Sequence, residues 1–120
     1  MAKKILLIDD EREFTEMIKM RLEALGYDVA AVNEGKLGFE MAKKIMPDII
    51  LLDLVMPEKN GLLVLSELKG NPYTEVIPVI MLTAKTEEEY QMDAGSLGAV
   101  NYLSKPVKME ELEAAIKKLL

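Results

Sequence analysis

A chain of 120 residues, 50% hydrophobic and 30% charged, is the size of one domain spanning residues 1–120, and it can bury roughly 65% of its unfolded surface around one core, which excludes a disordered or low-complexity chain. It has no cysteine and no histidine, so disulfides, thiol chemistry and the commonest general base are excluded, and carboxylates, hydroxyls and lysines must carry any chemistry. A net charge of -6 argues against broad binding to nucleic acid or anionic lipid, and apolar runs far short of the roughly 18 residues of a membrane span place the chain in the cytoplasm.

The first predicted element is the apolar run Ile5 to Ile8, a buried strand that ends on Asp9 and Asp10 with Glu11 behind them. A helix follows, with Phe14, Met17, Ile18, Arg21, Leu22 and Leu25 on one stripe and Gly26 as its stop. Val29 to Val32 is the second strand, a second helix runs toward Pro47, and Ile49 to Leu52 is the third strand, ending at Asp53. Asn60-Gly61 introduces a third helix, and Ile77 to Leu82 is a fourth strand followed by Thr83. The "TEEE" of Thr86 to Glu89 is a capping box for a fourth helix. Val100 to Leu103 is the fifth strand, with Ser104 and Lys105 after it, and Leu112, Ile116 and Leu119 mark a fifth helix. The strand runs are mostly continuous rather than alternating, as expected for parallel strands covered on both faces. The pattern predicts a doubly wound α/β domain with one five-stranded parallel sheet and helices on both sides.

Right-handed crossovers bring the carboxyl ends of all the strands to one edge, where open α/β sheets bind their ligands. That edge carries Asp9, Asp10, Asp53, Thr83, Ser104 and Lys105. Three carboxylates roughly 5 Å apart repel by about 3 kcal/mol per pair at an effective dielectric of about 20, so a cation is their natural partner. Oxygen donors without histidine or cysteine suit a hard divalent ion such as magnesium. Plainer readings stand beside this one. Asp10 with Glu13 spells a D-x-x-E capping box, although that leaves Asp9 unexplained. Thr83 also fits an ordinary strand-end threonine, Lys105 a solvated surface lysine, Tyr102 half-buried packing, and the nine methionines core filler.

The stretches "LLIDDE", "IILLDLVMPEKNGL", "VIMLTAK" and "GAVNYLSKP" follow one another over essentially the whole chain. Together they resemble the receiver domain of two-component response regulators, in its single-domain, chemotaxis-regulator-like form. The resemblance implies a flavodoxin-like sheet of order 2-1-3-4-5 with five helices. It implies Asp53 as phosphoacceptor, Asp10 as a direct ligand of magnesium (or manganese), Asp9 helping through water, and the Val55 backbone carbonyl completing the protein's share. Thr83 would bond one phosphoryl oxygen, Lys105 would neutralise another, Tyr102 would report the state to a distant surface, and the Lys105-Pro106 bond would be cis. A sensor histidine kinase or phosphotransfer protein would be the donor. A downstream protein would bind the face of the fourth helix, fifth strand and fifth helix, with no direct contact to nucleic acid or membrane.

So read, the domain is not an enzyme but a phosphoacceptor switch in a phosphorelay, assisting its own phosphorylation and dephosphorylation. The chemistry is coherent with the residues: a carboxylate attacks phosphorus in line and has no proton to lose, and the donor histidine belongs to the partner. Val55 and Lys85 match positions at which receivers tune hydrolysis, and an apolar Val55 offers no hydrogen bond to orient water. The chain departs from the commonest pattern at Val107, where phenylalanine is frequent, and at Val100 and Asn101, where acidic residues are common. It is either a stand-alone regulator or a receiver cut from something longer. A magnesium-dependent phosphatase of the haloacid dehalogenase type is the competing reading, but its D-x-D pair is missing because Val55 follows Asp53 by two residues.

Overall fold

A computed structural model describes residues 2–84, 95 and 97–120, and of Thr83 the backbone alone. Five strands, β1 (Lys4–Ile8), β2 (Asp28–Val32), β3 (Ile49–Asp53), β4 (Val79–Thr83) and β5 (Asn101–Ser104), form one sheet in the order β2-β1-β3-β4-β5, and every pairing is parallel. The helices among the described residues are α1 (Arg12–Ala24), α2 (Gly35–Ile45), α3 (Gly61–Lys69) and α4 (Met109–Leu119). The helix expected after Thr86 to Glu89 lies outside the described residues. No described helix is long and apolar enough to cross a membrane.

Successive side chains of a strand point to opposite faces. In β1 both sets are buried: Leu6 and Ile8 pack with Ile50, Leu52 and residues of α2 and α3, while Ile5 and Leu7 pack with Ile49, Leu51 and residues of α1 and α4. Two-sided burial is the reason these strands are written as continuous apolar runs. Each buried Ile or Leu side chain contributes about 1.5 to 3 kcal/mol, so the central strands form a rigid floor under their own carboxyl ends.

Two glycines set how helices meet that floor. Gly26, at φ 98, ends α1. Its N–H donates to the Glu23 carbonyl and the Tyr27 N–H to the Leu22 carbonyl, a left-handed helix stop that a side chain would strain. At Gly61 a Cβ would lie 2.1 Å from the Asp53 carbonyl oxygen and 2.8 Å from Leu54 Cα. Glycine alone therefore lets α3 begin against the end of β3. The preceding Asn60 caps that helix, its side chain accepting from the Leu63 N–H at 3.1 Å.

Several expectations shift in register. The stripe of α1 is centred on buried Thr15, Ile18 and Leu22, while Met17, Arg21 and Leu25 are exposed. A threonine sits on the buried face because its hydroxyl is satisfied twice, donating to the Arg12 carbonyl and accepting from Asn33. β4 starts at Val79 rather than Ile77, since Ile77 closes a turn onto the Thr74 carbonyl and Pro78 has no N–H for the ladder. β5 starts at Asn101 rather than Val100; it lies at the edge of the sheet, as the order 2-1-3-4-5 implies, and its Tyr102 and Leu103 are half-buried. The Asp10 capping box does not form. The cap position of α1 falls to Glu11, and that residue makes no side-chain cap bond.

Candidate functional site

Parallel register builds the site. Ile8 pairs with Val32 on one side and Leu52 on the other, so the next residues, Asp9 and Asp53, stand side by side at the carboxyl edge. Asp53 pairs with Leu82, and Thr83 with Ser104, which carries the line across to Lys105. Carboxylate oxygens of Asp9, Asp10 and Asp53 all lie within 4.8 Å of one another. Asp9 is fully buried and Asp53 is 3% exposed, whereas Asp10 is half-buried. Asp10 also lines a cleft of about 270 Å³ shared with Asn33, Glu34, Lys36, Glu58 and Lys59, which borders the acidic cluster on that side.

Each carboxylate has a distinct environment. Asp9 accepts the Glu11 N–H at 2.9 Å on one oxygen and the Lys105 ammonium at 2.6 Å on the other. Its pKa is nevertheless raised, because burial outweighs those contacts. Asp53 is pushed up to about 7, first by burial and then by the charge of Asp9, against the pull of Lys105 and a hydrogen bond from the Val55 backbone. Near neutral pH the cluster is therefore short of positive charge. All of its side-chain donors are carboxylate oxygens, and their convergence on one point fits a hard divalent cation.

Lys105 is not a solvated surface lysine. Its side chain is 11% exposed, and its Nζ lies 2.6 Å from Asp9, 2.7 Å from Glu11 and 3.8 Å from Asp53. Burial works to lower its pKa, but the hydrogen bonds to Asp9 and Glu11 prevail and the net shift is upward. The Lys105-Pro106 bond is cis. Val55 stands in the loop after β3 and is 51% exposed. Thr83 is the last residue of β4, in register with Ser104, and its side chain lies outside the description, as does Lys85. Tyr102 lies in β5 opposite Met81 and packs partly against the core.

Sequence reasoning missed Asn33, Glu11 and Phe14 as residues of the site. Asn33 donates to the Asp9 carbonyl at 2.8 Å and the Thr15 hydroxyl at 3.0 Å, tying the end of β2 to the end of β1 and the start of α1. Asn33 is a polar residue directly after a strand, the same signal that marked Asp9 and Asp53. Phe14 belongs to the apolar stripe of the helix pattern, yet its ring centroid lies 4.3 Å from the Lys105 ammonium.

Comparison with known proteins agrees with this geometry. The sequence model of the response regulator receiver domain matches residues 5–117. The chain is 37% identical over 117 residues to the DNA-binding dual master transcriptional regulator RpaA of Synechocystis, covering 98% of this chain and 48% of that protein. It is 40% identical over 117 residues to the transcriptional regulatory protein CpxR of Escherichia coli, covering 98% and 49%. The chain thus spans about half the length of these curated relatives. The solved structure of the chemotaxis protein CheY4 of Vibrio cholerae superposes with a TM-score of 0.94 at 27% identity, covering 100% of both chains.

Proposed function

This chain belongs to the response regulator receiver domains, and on that footing we propose that Asp53 accepts a phosphoryl group and thereby switches the binding of a downstream protein. The observation that supports this reading most is the convergence of Asp9, Asp10 and Asp53 within 4.8 Å, with the Lys105 ammonium reaching Asp9 at 2.6 Å and Asp53 at 3.8 Å. An Asp53 oxygen attacks phosphorus, the bond from phosphorus to the donor's leaving group breaks with its electron pair on the leaving group, and no base is needed once Asp53 is ionised. A divalent cation, magnesium or manganese, held by Asp10, Asp53 and the Val55 carbonyl with Asp9 acting through water, would neutralise the charge that develops on the phosphoryl oxygens. Lys105 supplies the remaining positive charge and Thr83 a hydrogen bond.

The switch follows from charge. A carboxylate becomes an acyl phosphate of nearly two negative charges, a local change able to bias a two-state element. The Thr83 hydroxyl is drawn toward the phosphoryl oxygens, Tyr102 moves into the space, and the face that includes β5 and α4 changes shape for its partner. In the cytoplasm, a sensor histidine kinase or phosphotransfer protein is the donor. Incubation with magnesium and acetyl phosphate, followed by intact mass measurement, tests the reading. One phosphoryl adduct is expected in the native chain and none in Asp53→Asn. An adduct of equal occupancy in Asp53→Asn would refute the assignment.

A further inference from the structure

Lys105 is already engaged in the unphosphorylated domain, and two of its partners lie outside the acidic cluster. Its ammonium donates to Glu11 at 2.7 Å and rests over the Phe14 ring at 4.3 Å, while Asp53 is farther away at 3.8 Å. Glu11 is the cap residue of α1, but its carboxylate makes no cap bond, so helix formation does not account for its side chain. Phe14 lies in the first turn of α1 and is only half-buried, so core packing does not account for all of its ring.

We propose that Glu11 and Phe14 form a resting cradle for Lys105: Glu11 holds the ammonium off Asp53 and must release it before Lys105 can meet a phosphoryl oxygen, while the Phe14 ring keeps the released ammonium within the site. This inference rests on the reading of Asp53 as phosphoacceptor. The Glu11 carboxylate is 60% exposed, so its hold is that of a surface ion pair, weak enough to be exchanged. A phosphoryl group of nearly two negative charges outcompetes a solvated carboxylate of one. The ring acts differently, because its face attracts a cation without consuming one of the three ammonium donors or fixing their direction. Support from Phe14 therefore survives the exchange of Glu11 for phosphate, whereas support from Glu11 opposes it. Both are positioning residues acting through Lys105.

The two roles have opposite signs, and the test uses that difference. With magnesium and acetyl phosphate, Glu11→Gln is expected to speed phosphorylation of Asp53 about 2- to 5-fold, the range of one exposed ion pair. Phe14→Leu is expected to slow it by a similar factor of about 2 to 5, the range of one exposed cation–π contact, and Phe14→Tyr to restore it. A purely structural role would move both variants the same way. A second readout needs no phosphoryl transfer. In the unphosphorylated protein the ε-methylene resonances of Lys105 should be displaced upfield by the ring and lose that displacement in Phe14→Leu. Lys43, 4.4 Å over the Phe39 ring, should keep its own displacement as the internal control. Rate changes of the same sign, or an undisplaced Lys105 resonance in the native chain, would overturn the cradle. If the native chain takes up no phosphoryl group at all, the phosphoacceptor reading fails, and the Lys105 resonance still decides whether the cradle exists.

Discussion

Asp53→Asn should make the metal-free protein more stable, not less, although it removes the proposed reactive group. Asp53 shares a space of 4.8 Å with Asp9 and Asp10, and at an effective dielectric of about 20 each like pair costs about 3.5 kcal/mol. Lys105 at 3.8 Å returns about 4 kcal/mol on the same scale, so about 3 kcal/mol of repulsion remains before burial is counted. The pKa gives a second figure that includes burial. A rise from 3.8 to about 7 corresponds to about 4 kcal/mol at 1.36 kcal/mol per unit. Both figures already include the attraction to Lys105 that an amide loses, so the expected gain for Asp53→Asn is about 3 to 4 kcal/mol. The sign depends on pH. Because the folded pKa lies above the unfolded one, the unfolded chain holds fewer protons between them, and native stability falls as pH rises from about 4 to about 7. The variant should therefore match the native chain near pH 4 and exceed it fully at pH 8. Urea unfolding in the presence of a chelator measures the difference. Saturating magnesium should shrink or reverse the gap, since a ligand that binds only the folded state stabilises it by mass action. An Asp53→Asn protein less stable than the native chain at pH 8 without metal would show that the three carboxylates are not in mutual repulsion.

Four further outcomes test other parts of the site. Asp10→Ala should weaken magnesium binding severely, and binding to the native chain near pH 7 should release protons from Asp53; calorimetry in buffers of different ionisation enthalpy reads both, and unchanged affinity would remove Asp10 from the ligand set. Asn33→Ala should cost about 1 to 3 kcal/mol in urea unfolding, because it strips buried acceptors on Asp9 and Thr15 of their donor; a loss within about 0.5 kcal/mol would make Asn33 a surface residue in effect. Val55→Asn should shorten the lifetime of phosphorylated Asp53 by giving attacking water a hydrogen-bond partner, and an unchanged decay would show that this position does not control hydrolysis. Thr83→Ala should still accept phosphate but lose the chemical-shift response across residues 84–120, whereas a full response would exclude the threonine as the link to Tyr102.

Much of the fold was legible because the strongest signal in the chain is also the most redundant. Both faces of β1 and β3 are buried, so every residue from Ile5 to Ile8 and from Ile49 to Leu52 is apolar, and no error of register could hide those strands. Weaker signals slipped where only one face carries the pattern. On α1 the apolar stripe includes Met17 and Leu25, but the helix is rotated so that they are exposed and Thr15 joins Ile18 and Leu22 inside. The polar exception is invisible in the helix pattern because its reason, the Asn33 amide, comes from the residue just after β2, 18 positions away in sequence. The start of β5 slipped by one residue, because Val100 is as apolar as the strand it precedes, while the edge position of β5 follows from the order 2-1-3-4-5.

The site divides along the same line, between what topology dictates and what side chains negotiate. A parallel sheet must bring strand ends together, so Asp9, Asp53 and Lys105 could be placed at one edge from their positions after apolar runs alone. Which charges pair at that edge follows no such rule. Counting three acids, one lysine and one divalent cation gives a neutral site, but the tally leaves out Glu11, whose carboxylate holds the Lys105 ammonium at 2.7 Å. With Glu11 counted, a site holding a divalent cation would be one charge short of neutral until that carboxylate lets go. Release into solvent costs little for a side chain 60% exposed, while Asp9, fully buried, cannot leave. The exchangeable partner of Lys105 is therefore the exposed acid and the permanent one is the buried acid, an order set by burial and unreadable from the adjacent letters of "DDE".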